Sequence, residues 1–274
     1  MMRGFLVAAA FAVFATAPVA GAEYFPAGQG FPPLAADPAE PRSFVSVLRT
    51  STPMDRFTMA AVGFGTNFGV ARWPGEAPGE GWQAGVFGVV FSQFNLSAPS
   101  DDLINSDFVI GVPLAFKRGP LAARLRLWHQ SSHLGDEFIL NGTAPERMDL
   151  GMEVIDGVLA WERGGWRGYG GASYVVRRDQ GHRGRTGLQA GIDYAGARAV
   201  LAGGRLVGGI DLKWFEQTDW DAGVSAKVGL EFGRPRPERR GLTVLAEAYD
   251  GFAPFGQFTS REVRYYGVGL QFDF

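Results

Sequence analysis

The chain has 274 residues, 26 Lys and Arg against 28 Asp and Glu, 46% hydrophobic residues, 40 glycines and no cysteine. A formal net charge of -2 argues against nucleic acid as a partner, and the lack of cysteine excludes disulfides and thiolate metal centres. A mean hydropathy of -0.02 beside so much apolar content is the average expected when lipid-facing and lumen-facing residues alternate along strands.

Residues 1–22 carry Arg3, run through an apolar segment from Phe5 to Val19 and finish in Ala20-Gly21-Ala22, the small-residue pattern cut by signal peptidase. The run is short for a membrane anchor and carries Pro18. Residues 1–22 are therefore read as a cleaved signal peptide. No later run of about 18 apolar residues offers a spanning helix. Residues 23–42 hold Pro26, Pro32, Pro33, Pro38 and Pro41, too many breakers for a regular element. They form an irregular periplasmic segment, tucked into the mouth of the following domain or left as a tail.

From Ser43 the chain reads as strand after strand, over 43–51, 57–73, 80–96, 104–119, 121–134, 148–164, 166–181, 185–198, 203–219, 221–234, 241–252 and 261–274. Phe108, Ile110, Val112, Leu114 and Phe116 alternate with Gly111, Pro113 and Lys117, and Val224, Ala226, Val228, Leu230 and Phe232 with Ser225, Lys227 and Glu231. Strands of this number, in one domain over 43–274, predict an all-β transmembrane antiparallel barrel of about twelve strands. With both termini periplasmic, the Arg118-Gly-Pro120 and Arg163-Gly-Gly165 turns are periplasmic and the long loop from Leu134 to Arg147 is outside. The 195–203 and 234–240 connections fit this scheme less well. The last strand alternates to a terminal Phe274, which resembles the C-terminal signal of barrels inserted into bacterial outer membranes and implies the insertion machinery as a partner.

The second parity holds Lys117, Arg124, Arg126, Asp149, Glu153, Asp193, Asp211, Lys213, Lys227, Glu231 and Glu247. Similar numbers of both signs predict a salt-bridged, largely filled lumen. On the strand over 121–134, the apolar parity of Leu121, Ala123, Leu125 and Leu127 continues into His129, Ser131 and His133. This places polar groups on the lipid face near the outer end. A histidine two residues from a serine on one face can accept the hydroxyl proton and so activate a nucleophile. A third group must orient the imidazole. Met148, Leu150 and Met152 read as the apolar parity of the next strand, which leads back to Glu146 as that group, with Asn141 behind it. A metal site of His129 and His133 with Asp136 or Glu137 is an alternative, and a polar strand tip in the headgroup region is another. The basic run from Arg177 to Arg185 belongs to an outer loop, read first as a solvated loop and alternatively as one that meets lipopolysaccharide phosphates.

The His129-x-Ser131 pair with Glu146 resembles the sites of outer-membrane phospholipase A and the lipid A 3-O-deacylase barrels. That resemblance implies general base and nucleophile roles in ester hydrolysis, phospholipid or lipopolysaccharide as partner, and calcium as a cofactor. The phospholipase pattern continues with Asn-Gly after the serine, whereas this chain has Ser132-His133. A wider stretch, residues 27–274, resembles a family of bacterial barrels known as a domain of unknown function. The matching residues are Leu34-Ala-Ala-Asp-Pro-Ala-Glu-Pro-Arg42, His129 through Glu137, Glu146-Arg147, Asp211-Leu-Lys-Trp214 and Tyr249-Asp-Gly251. The expectation is an outer-membrane serine esterase that deacylates phospholipid or lipid A. The competing expectation is a structural barrel or narrow pore.

Overall fold

The computed structural model describes residues 21–140, 150–178, 184–233 and 241–273. The alternating residues build β2 (Ser43–Ser51), β3 (Arg56–Pro74), β4 (Gly81–Asn95), β5 (Asp102–Arg118), β6 (Leu121–Leu134), β7 (Leu150–Arg163), β8 (Trp166–Arg178), β9 (Thr186–Leu201), β10 (Gly204–Phe215), β11 (Ala222–Gly233), β12 (Gly241–Phe252) and β13 (Glu262–Asp273). Each pairs antiparallel with its sequence neighbours, and β13 pairs with β2 to close a barrel of twelve strands. Closure leaves no free barrel edge, as a membrane interior demands. A two-residue β1 (Glu23–Tyr24) lies on β3, and a single helical turn, α1 (Asp136–Leu140), follows β6.

Barrel side chains follow the strand period of two. On β6, Leu125 and Leu127 are exposed on the outer wall while Arg124 is buried inside. The start of β2 and the end of β13 lie side by side, with Ser43 opposite Phe272. At this same end, two-residue turns join β5 to β6, β7 to β8 and β9 to β10. Gly119, Gly164, Gly165, Ala202 and Gly203 all have positive φ there, the backbone sense that matches the twist of tight hairpins. The loosely read 195–203 connection is thus mostly strand: β9 continues to Leu201 and turns at Ala202 and Gly203. The 234–240 connection, the 141–149 stretch and Phe274 lie outside the described residues.

The proline-rich segment is a plug. Glu23 and Tyr24 pair with Arg72 and Ala71 on β3, after which the chain turns into the lumen. Phe31, Leu34 and Ala36 are buried there, and Phe31 and Leu34 share a cluster with Ala115, Ala122, Val158, Ala160 and Tyr169. The Arg124 and Arg167 guanidiniums lie 4.8 and 5.3 Å from the Phe31 ring centre. Prolines cannot supply a strand ladder, so side chains satisfy the plug's backbone instead: Arg167 donates to the carbonyls of Pro32 and Pro33 at 2.7 Å, and the Ala35 N–H donates to Asp193. Glu40 accepts from both terminal nitrogens of Arg124 at 2.5 and 3.1 Å, and Asp37 meets Lys213 at 2.6 Å.

Further pairs line the wall: Arg126 with Asp156, Arg167 with Asp193, Arg205 with Glu231 and Lys227 with Glu247. The salt-bridged, filled interior expected from the sequence is present, with the plug itself as much of the filling. Above the plug, a cavity of about 210 Å³ lies among Asp37, Arg126, Trp128, Lys213 and Tyr249. The β12–β13 loop folds over it, with Phe255 packed on Phe91 and Gln257 donating to the Ser132 carbonyl. One lumen assignment is overturned. Glu153 faces the outer wall, because on β7 Ile155, Leu159 and Trp161 are exposed outside while Val154, Asp156 and Val158 are buried inside.

Candidate active site on the outer wall

β6 rises from its turn at Gly119 and Pro120 toward the end opposite the termini, so His129, Ser131 and His133 stand near that far end. Their parity continues that of Leu125 and Leu127, which keeps them on the outer wall. Ser132 faces inward and is buried, its hydroxyl accepting from Gln130 at 3.2 Å. The two adjacent serines therefore occupy opposite sides of the wall, and only Ser131 shares a face with His129.

Strand register then assembles the rest. His129 stands between Ile110 on β5 and Glu153 on β7, and Ser131 between Phe108 and Gly151. Nδ1 of His129 lies 3.4 Å from a carboxylate oxygen of Glu153, with side-chain exposures of 35% and 21%. The other Glu153 oxygen lies 3.8 Å from Nε of Arg177 on β8. An imidazole held at Nδ1 presents Nε2 as the acceptor, the tautomer a general base needs. Among the described residues, no hydrogen bond joins His129 to Ser131. Phe108 and Ile110 are each about half exposed beside them, so the polar pair sits in an apolar wall. The His133 ring packs edge-on against Phe108, 5.8 Å between centres.

The expected orienting residue, Glu146, lies outside the described residues, as does Asn141. Among the described residues, the carboxylate beside His129 is that of Glu153. The reading from the sequence assigns Glu153 to the lumen parity of β7. Leu150, Met152 and Val154 look like a lipid face, yet they point inward, where Met152 and Val154 line the cavity with Phe87, Phe91 and Val109. The signal that identifies the true outer face is Ile155, Leu159 and Trp161 set against Asp156.

The metal alternative finds no support, since among the described residues no three His, Asp or Glu side chains gather closely enough to hold an ion. The calcium implied by resemblance does not fit either. Calcium takes about six to eight oxygen ligands, usually including carboxylates. Here the Ser132 hydroxyl is turned inside, His133 offers nitrogen, Ser92 and Ser106 are bonded to each other at 2.8 Å, and Glu153 is shared by His129 and Arg177.

No curated protein sequence matches the chain. Among solved structures, the fold is similar to outer membrane phospholipase A from Escherichia coli at 14% identity and a TM-score of 0.59, covering 85% of this chain and 94% of that one. It is similar also to the outer membrane phospholipase of Salmonella typhi, a dimer with bound calcium, at 14% identity and a TM-score of 0.58, covering 88% and 94%. At this identity the likeness is one of fold. Membership is carried by the sequence itself: the model of the family described as "Protein of unknown function (DUF1207)" matches residues 7–274, and the chain belongs to that family.

Proposed function

We propose that this barrel is a serine esterase of the bacterial outer membrane that cleaves acyl chains from membrane lipid at its outer wall. The observation that carries the reading is the contact of Glu153 with Nδ1 of His129, on the face shared with Ser131. In the reaction, Nε2 of His129 takes the Ser131 proton while Oγ attacks the ester carbonyl, and Glu153 steadies the imidazolium that forms. Collapse breaks the bond to the alcohol oxygen, which leaves with the proton from His129. Water, deprotonated by the same imidazole, then releases the fatty acid from Ser131. The exposed Leu125, Leu127, Phe108 and Ile110 around the pair suit a substrate that arrives within the lipid and needs no channel. The filled lumen agrees with work done on the wall. Export by a cleaved signal peptide at residues 1–22 and insertion through the C-terminal strand complete this reading.

The test is fatty-acid release from phospholipid and lipopolysaccharide vesicles by the refolded full-length protein. Ser131→Ala and His129→Ala should each lower the rate roughly a thousandfold or more, and Glu153→Gln about a hundredfold or more, whereas Ser132→Ala should keep most of it. Wild-type protein that releases no fatty acid, or a Ser131→Ala variant as active as the parent, would defeat the proposal.

A further inference from the structure

On β8 the inward parity is odd: Arg167 and Tyr169 are buried in the lumen, and Trp166, Tyr174 and Val176 are exposed outside. Arg177 should therefore point inward. It does not, because the β7–β8 register slips by one residue: Val154 pairs with Val175, but the next residue, Glu153, pairs with Arg177. Val176 is the extra residue of a bulge, and residues beyond a bulge exchange faces. Arg177 consequently joins an outer-wall row of Ile110, His129, Glu153 and Arg177, read straight across four strands.

Its chemistry there is distinctive. Nε approaches Glu153 at 3.8 Å and the side chain is 47% exposed. Among the described residues, the two terminal nitrogens have no partner. An arginine held by one edge keeps its other donors for an anion, and a planar pair of donors suits phosphate oxygens. Arg177 lies two strands from His129, about 10 Å at normal strand spacing, a span that a glycerol or sugar unit carrying both a phosphate and an acyl ester can bridge.

We infer that Arg177 is the headgroup-binding residue of this site, and that the site selects phosphate-bearing acyl esters over uncharged ones. The inference rests on the esterase reading for its substrate and adds the phosphate, placed on Arg177 while the ester lies at Ser131. The bulge at Val176 is the device that delivers the cation to the lipid face. Glycerophospholipid and lipid A share this chemistry.

The test pairs binding with turnover on the refolded full chain. Calorimetry in detergent micelles would compare dihexanoyl phosphatidylglycerol with dihexanoylglycerol, and lipid A with its dephosphorylated form. Fatty-acid release would be followed on the same lipids. Wild type should bind the phosphate-bearing member of at least one pair about tenfold or more tightly, Arg177→Gln should abolish that preference, and Arg177→Lys should restore part of it. Whichever pair shows the preference identifies the source of the phosphate. Arg177 is exposed with one long ion pair, so folding of the variants should be unaffected; a heat-modifiable gel shift checks it. Equal binding within both pairs, or a preference kept by Arg177→Gln, would overturn the inference even if fatty acid is released. Arg177-dependent phosphate binding without any fatty-acid release would uphold the headgroup site and overturn the esterase reading.

Discussion

Replacing Glu40 by alanine should unlock the plug, and the structure sets the size of the effect. Glu40 holds Arg124 through two hydrogen bonds, with both side chains at least 95% buried. Arg126 lies 4.0 Å from the same carboxylate but keeps Asp156 at 3.0 Å, so the mutation strands Arg124 alone. Breaking a buried pair by removing one partner costs about 3–5 kcal/mol. The Phe31 ring remains against the Arg124 guanidinium, which puts the expected loss near the lower end. The cysteine-free chain permits a direct reporter: Ala36→Cys, at a buried plug position, followed by maleimide labelling of the refolded protein in vesicles. If opening of the plug governs labelling, a loss of about 3 kcal/mol raises the rate on the order of a hundredfold. Adding Arg124→Met to a Glu40→Met background should return labelling toward the parent rate, because a neutral pair leaves no stranded charge. Labelling within threefold of the parent in Glu40→Ala, or effects of Glu40 and Arg124 that simply add, would refute the claim that this ion pair holds the plug.

The plug should also loosen in acid. Burial alone would raise the Asp37 carboxyl, but the Lys213 ammonium, its hydrogen bond and the Ala39 N–H outweigh burial and hold it at about 2, against an ordinary value of 3.8. A depressed value means that Asp37 contributes stability fully above about pH 4 and loses it as the pH falls toward 2. Plug labelling through the Ala36→Cys reporter should rise across that window, and Asp37→Asn should flatten the rise. Leu34→Ala removes a fully buried plug side chain and should lower resistance to guanidinium unfolding by about 2–5 kcal/mol; a change below about 1 kcal/mol would show that the plug contributes little to the barrel's stability.

Much of the fold was legible because strand periodicity is a local property. The strands over 121–134 and 241–252 were read with the boundaries they have, and the parity of β6 correctly sent His129 and Ser131 to the outer wall and Ser132 inside. The misreading of β7 has a specific cause. Alternation tells which residues share a face, but which face meets lipid depends on what fills the lumen. Phe31 and Leu34 make the lumen beside Val158 and Ala160 apolar, so the inner face of β7 imitates a lipid-facing one. Arg177 was visible as part of a basic run, yet a one-residue slip in pairing cannot be seen in either strand alone.

The residues quoted for family resemblance show the same division. Asp37 and Glu40, Asp211 and Lys213, and Tyr249 lie far apart in the chain, and nothing in their spacing joins them. In the folded protein Asp37 meets Lys213, while Gln189 donates to both Asp37 and Asp211. The sequence by itself determined a cysteine-free chain of about twelve alternating strands with a His-x-Ser pair on an outer face, because composition and a period of two act within a few residues. Only the tertiary structure decided that the proline-rich segment fills the lumen, that Glu153 meets His129 and that Arg177 joins them outside. Those outcomes depend on register between strands and on what occupies the interior, quantities that exist only once distant segments have packed together.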